Sequence, residues 1–301
     1  MIKKIFIICI TIFFVFFVAK GWHILTGGFR TNKILPPKDC ECFKKETPES
    51  LKKDFFKIFN QNYHFLDKGC QVYVFESEDK KYVIKFLRYH KYQPPFWINF
   101  LDFFKRGKIY KNNVVDYKKF RIKTAHNSYL MAFNDWGYRT AIIYMHLGRT
   151  DHIKRKLKVK DRLGQYWHID LDKMHYIVQR RVEKLSFTLM ECVRDKDLDR
   201  AKILIDEYFE VMRDRCLKGI KNVDHSGYIR NMGHIDNFIF EIDVGGYRKK
   251  DIIKTKKGME KEFEHFTRRL KRWAEKRAPF LYDYIDNRSK IVLEKSFKDK
   301  G

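Results

Sequence analysis

The chain has 301 residues, with 64 Lys+Arg against 38 Asp+Glu and a formal net charge of +26. Aromatic residues make up 16% and charged residues 34%, which excludes a disordered chain, a collagen-like chain and a polytopic membrane protein. The charge points to anionic partners: a phosphorylated ligand, acidic lipid headgroups or nucleic acid. No helix-turn-helix, zinc or RNA-recognition motif accompanies it, so nucleic acid stands behind the other two.

Met1-Ile2-Lys3-Lys4 opens a segment that runs from Ile5 to Ala19 without charge, Pro or Gly. Extension through Trp22 and Leu25 brings it to the length of a membrane span. Residues 1–25 read as an uncleaved anchor, a cleaved signal with Ala19-Lys20-Gly21 as its site, or a buried helix. Lys20, Arg30, Lys33 and Lys38 outnumber Lys3 and Lys4 across the segment, which favours a body held in the cytoplasm. A secreted or periplasmic body is the alternative. Residues 26–46, with Gly27-Gly28 and Pro36-Pro37, read as a linker; Cys40-Glu41-Cys42 within it lacks a second pair for zinc. Six Cys at this length are too few for a disulfide scaffold, and free thiols are expected.

Thr47-Pro48-Glu49 carries an N-cap, a proline at the first helical position and an early acid, followed by Leu51, Phe55, Ile58 and Phe59 at helical spacing. A β-rich domain is expected over 47–180. Gln71–Ser77 and Tyr82–Phe86 form a hairpin around Glu78-Asp79-Lys80-Lys81. Gly69 precedes its first strand and Lys85 lies on its return strand. Pro94–Arg106 is unusually aromatic and reads as an insertion packed on the body or as a membrane-contacting segment with Lys105 and Arg106 at headgroup level. Asp116–Leu147 is helical, then extended, with Ala132, Phe133, Ile142, Ile143 and Leu147 as core. Tyr166–Asp170 and Met174–Gln179 read as strands.

Residues 181–295 turn helical, with a short tail over 296–301. Leu198, Ala201, Ile205, Tyr208, Met212, Cys216 and Ile220 step by three or four, capped by Asp197 and ended at Gly219. Asp224 and Asn231 follow in a loop, and Asp243 closes a strand just before Gly245-Gly246. Carboxylate and amide oxygens so placed suit phosphoryl transfer, where an aspartate orients the acceptor and an Asn with a second Asp holds Mg²⁺ against phosphates. Phe263, Phe266, Leu270 and Trp273 form an apolar stripe, with Arg268, Arg269, Lys271 and Arg272 on other faces as a basic surface.

In this order the chain resembles bacterial protein-kinase-like proteins, membrane-associated groups among them, and more distantly the lipopolysaccharide-core sugar kinases. The resemblance spans Phe65 to Tyr284. It implies an α+β, two-lobed protein-kinase-like fold, with an antiparallel N-terminal β lobe and a mainly helical C-terminal lobe. It implies ATP and Mg²⁺ as nucleotide and metal. Gly69-Cys70-Gln71 resembles a reduced glycine-rich loop, Lys85 the phosphate-binding lysine, Asp224 the catalytic-loop aspartate, Asn231 the metal-binding asparagine, and Asp243 the metal-binding aspartate of a D-x-G motif. Gln179 then falls near the hinge, with backbone groups facing adenine. The pattern departs from the family in five respects: one glycine in the loop, Asn222-Val223 in place of the His-Arg before the catalytic aspartate, two extra residues between Asp224 and Asn231, no Ala-Pro-Glu, and no Glu between Asp116 and Leu147 to pair with Lys85. The expected function is a membrane-tethered phosphotransferase moving phosphate from ATP to an unknown hydroxyl acceptor, with the membrane engaged through residues 5–25. An inactive pseudokinase scaffold and a basic lipid- or nucleic-acid-binding protein are the alternatives.

Overall fold

The structure is a computed structural model that describes residues 2–37, 49–224 and 229–298. The Cys40-Glu41-Cys42 pair, the Thr47-Pro48 cap, the Leu51 side chain and the segment 225–228 lie outside the described residues. The fold is α+β. It divides into two compact units, Met1–Phe120 with Ile143–Arg181, and Arg121–Ile142 with Val182–Gly301. The break at Arg181 falls where the sequence changes from strands to helices. Residues 121–142, by contrast, leave the β-rich stretch and join the helical unit.

The first unit opens with α1 (Ile2–Leu25), which is exposed along its length and long and apolar enough to cross a membrane. At 1.5 Å per residue its 24 residues span ~36 Å, against ~30 Å of hydrocarbon in a bilayer. The chain then turns at Gly27 (φ +64°) and Gly28 (φ +74°). A Cβ at Gly27 would lie 2.7 Å from the Phe65 ring, so both conformation and space require glycine there. This turn drives Phe29 into the core, where it meets Tyr73, Phe75 and Trp167 edge-on; Tyr73 Oη donates to Gly28 O at 2.6 Å. Phe29 and Ile34, in the stretch expected as a linker, are thus fully buried.

Next come α2 (Glu49–Phe59), β1 (Tyr63–Lys68), β2 (Val72–Ser77), β3 (Tyr82–Leu87), α3 (Lys105–Asn134), β4 (Ile142–His146), β5 (Lys156–Lys160), β6 (Tyr166–Asp170) and β7 (Tyr176–Arg180). The strands form one seven-stranded sheet in the order β4-β7-β3-β2-β1-β5-β6. The β2–β3 hairpin is as expected, with Phe75 opposite Ile84 and Val74 opposite Lys85. β6 and β7 are neighbours in sequence but not in the sheet: β6 pairs with β5 and β7 with β3. Asp172 between them accepts from the Thr150 hydroxyl and the Ile153 and Lys154 amides, which fixes the crossing loop. One face of the sheet carries Tyr73, Phe75, Ile84, Phe86, Tyr176 and Val178, and α2 covers it through Phe55 and Phe59 on Tyr144 and Tyr176.

The second unit contains the end of α3, then β8 (Glu183–Lys184), α4 (Leu185–Asp195), α5 (Leu198–Leu217), β9 (Ile220–Asn222), β10 (Met232–Ile235), β11 (Phe238–Glu241), β12 (Tyr247–Lys249), α6 (Lys256–Arg277) and α7 (Tyr282–Lys298). Asp197 caps α5 by accepting from the Arg200 amide at 3.1 Å, and Gly219 (φ +69°) ends it. Ile220, expected on that helix, begins β9 instead. Phe209 stacks on Phe263, and Thr267 of α6 hydrogen-bonds Ser289 of α7. Two small sheets, β11-β10-β8 and β12-β9, complete this unit.

Candidate functional site

In the first unit, strand alternation sorts the candidate residues. Lys85 sits on β3 between Val74 of β2 and Ile177 of β7. Gln179 sits opposite Val83, two positions along the same strand. Cross-strand partners share a face, so Lys85 and Gln179 lie diagonally on the face opposite the aromatic core. Gln179 is buried, Lys85 half-buried, and the unit boundary falls two residues beyond Gln179. Gly69 lies in the β1–β2 turn: its amide donates to Val72 O at 2.9 Å and its carbonyl accepts from Arg88 at 2.7 Å. A Cβ there would meet Val72 Cγ2 at 3.5 Å and Val72 O at 4.0 Å, both ordinary contacts. The backbone therefore does not by itself require glycine at this turn.

In the second unit two of the three oxygen-bearing candidates, Asp224 and Asn231, meet through their side chains, and Asp243 follows the residue whose backbone pairs with Asn231. The β10–β11 hairpin pairs Met232 with Glu241, which sets Asn231 and Ile242 side by side at its open end. The Ile242 amide donates to Asn231 O at 2.8 Å, so Asp243 follows directly from Asn231's neighbour. Asn231 Nδ2 donates to Asp224 Oδ2 at 3.3 Å. On the other side, the Val223 amide donates to Gly246 O at 2.9 Å, and the Asp224 amide donates to Asn222 Oδ1 at 3.0 Å. A Cβ on Gly246 would fall 2.6 Å from Asn222 Oδ1 and 3.2 Å from the Asp224 nitrogen, so glycine is required for this approach. Asp243 itself is exposed, and its Oδ1 accepts from the Gly245 amide at 3.4 Å.

A buried polar network fixes the Asp243 loop from below. Ser128 of α3 donates to Val244 O and accepts from the Tyr247 amide at 2.6 Å. Glu241, 1% exposed, accepts from Arg215, from Trp136 Nε1 at 3.0 Å and from the Tyr247 hydroxyl. Burial lowers the pKa of Arg215, but the facing Glu241 carboxylate overrides it and holds the guanidinium charged. Burial, then the same carboxylate, pushes the Tyr247 phenol well up, so it remains a donor. These groups were not singled out in the sequence. Glu241 was accessible there, because alternation from Ile239 places it inward; Ser128 in mid-helix left no signal.

Among the described residues, no group of three or more His, Cys, Asp or Glu side chains could hold a metal. Carboxylate and amide oxygens such as those of Asp224, Asn231 and Asp243 are of the kind that suits Mg²⁺ rather than zinc or copper. Cys9, Cys70, Cys192 and Cys216 are free thiols. A groove of about 520 Å³ runs between α6 and α7, and two of its basic residues, Lys271 and Lys290, both bind Asp286, at 2.6 and 2.7 Å. No family model matches the chain, and no curated protein is similar to it.

Proposed function

We propose that the protein is a membrane-tethered, kinase-like phosphotransferase that moves the γ-phosphate of ATP to a hydroxyl acceptor. One observation carries this reading: Asp224 and Asn231 are in hydrogen-bond contact, and Asp243 follows Ile242, whose amide donates to Asn231 O. The first unit supports it with a turn at Gly69, a lysine on the third strand of the sheet, and a strand ending near the unit boundary. Phosphoryl transfer is mostly positioning and charge neutralisation, and its lysine commonly sits on such a strand.

Each residue then has a role. Asp224 accepts the proton of the acceptor hydroxyl; the Asn231 amide on its Oδ2 orients it for that. Asn231 Oδ1 and the Asp243 carboxylate hold Mg²⁺, which when bound neutralises phosphate charge. Lys85 pairs with the phosphates, the Gly69 turn offers backbone N–H groups above them, and backbone at Gln179 faces the adenine. α1 anchors the chain with its body in the cytoplasm, where ATP is found.

A second reading, a pseudokinase, is favoured by α3, which carries no Glu for the usual lysine pair. Full-length protein in lipid nanodiscs, given ATP labelled at the γ-phosphate, separates the two. Label released to water or to an acceptor, and lost in Asp224→Asn and Lys85→Ala, supports the enzyme. ATP binding without turnover selects the pseudokinase, and no ATP binding contradicts both.

A further inference from the structure

The aromatic segment between β3 and α3 is a 3-10 helix, Phe96–Phe103. Side chains three apart eclipse on such a helix. Trp97, Phe100 and Phe103 therefore form one ridge, and they are 45%, 65% and 86% exposed. Phe96 and Phe104 flank it, both exposed, and Ile98 on another edge is buried and fastens the helix. The ridge is held in place by its neighbours. Lys111 of α3 bonds Asp102 at 2.5 Å, and a Cβ on Gly107 would fall 2.3 Å from Leu101 O, so α3 starts in direct contact with the ridge. The exposed apolar surface continues along α3 through Ile109, Tyr110, Tyr117 and Phe120. Residues 96–120 carry six Lys or Arg against Asp102 and Asp116.

Water is a poor neighbour for a contiguous surface of this kind. We infer that the ridge at 96–104 and the exposed start of α3 form a second membrane contact, seated in the interface of an anionic bilayer. Three observations select a bilayer as occupant. Cations beside exposed aromatics match an anionic headgroup layer over acyl chains. A second copy of a chain with net charge +26 would instead set like charges face to face. Finally, Phe29 is locked in the core of this same unit only four residues after α1 ends. That spacing holds the sheet within ~14 Å of the end of α1. If α1 spans a membrane, the first unit lies against the bilayer surface. The inference rests on that tether and is independent of the nucleotide reading.

The test uses full-length protein reconstituted in phosphatidylcholine–phosphatidylglycerol bilayers whose lipids carry bromine on upper acyl carbons, which quenches nearby tryptophan. Trp22, at the end of α1, reports the tether; Trp97 reports the ridge. Trp97→Phe should lose the quenching due to one tryptophan of the five, and Phe103→Trp in that background should restore it. Lys105→Glu with Arg106→Glu should weaken it, as should a bilayer of phosphatidylcholine alone. Quenching lost in Trp22→Phe but unchanged in Trp97→Phe keeps the tether and overturns the ridge. Insensitivity at both positions overturns both. Insensitivity at Trp97 together with cross-linked dimers would mean that a second copy covers the ridge, which also overturns the inference.

Discussion

At the residue scale, the second unit depends on one buried ion pair. Arg215 and Glu241 are each 1% exposed, and the carboxylate satisfies three donors. Removing one partner leaves the other charged and desolvated. Arg215→Ala should therefore cost ~3–5 kcal/mol in urea unfolding, with Arg215→Met beside Glu241→Gln costing less than the sum of the single changes. His126, buried on α3, is a second sensitive residue. Burial lowers its pKa from 6.5 to about 4, so the folded chain holds it neutral. Below pH 6.5 the unfolded chain takes up a proton that the folded chain refuses. Stability from this group is complete above pH 6.5 and is lost as pH falls towards 4, by up to ~3 kcal/mol. Burial lowers His146 in the same direction. Urea midpoints between pH 7 and pH 4.5 should fall, and His126→Phe should flatten the slope; an unchanged slope would count against a buried neutral ring.

At the element scale, the loop from Asp243 to Tyr247 owes its position to α3. Ser128→Ala removes a donor to Val244 O and leaves the Tyr247 amide buried without its acceptor, a loss of ~1–3 kcal/mol. Gly246→Ala should act at the same place by pushing Asn222 and Asp224 apart. On the proposed function both changes weaken Mg²⁺-dependent nucleotide binding more than they weaken the fold, read by comparing the ATP Kd with the urea midpoint; equal losses would make the loop merely structural. The elements also show what the sequence disclosed. The β2–β3 hairpin and the Asp197-capped α5 were legible because alternation and 3.6-residue periodicity are strong there. β5 is not legible although Leu157 and Val159 alternate with lysines, since such a strand resembles a solvated charge run. Residues 105–115 of α3, ahead of the helix expected from Asp116, carry no helical signal because they have no buried face to impose a period. Phe29 reads as linker from sequence because Gly27-Gly28 signals a turn but not its destination, which Tyr73 and Phe75 provide from far along the chain.

At the scale of the whole molecule, local order along the chain carried the candidate residues further than any single motif. Asp224, Asn231 and Asp243 were read from two turns rich in Asp, Asn and Gly, and hairpin register brings those turns together. The Ser128 and Glu241 supports beneath them were not legible, because long-range hydrogen bonds leave no local pattern. The central claim is the proposed one, that the protein binds ATP with Mg²⁺ and that this binding needs both Lys85 and Asp243. The most direct measurement is thermal unfolding of the full-length protein in nanodiscs with ATP, with and without Mg²⁺, beside Lys85→Ala and Asp243→Asn. At ATP about one hundred times Kd, binding should add ~2.7 kcal/mol and raise Tm by several degrees. That rise should require Mg²⁺ and vanish in both variants. A folded protein whose Tm does not move with ATP and Mg²⁺, or whose two variants respond like the wild type, would contradict it.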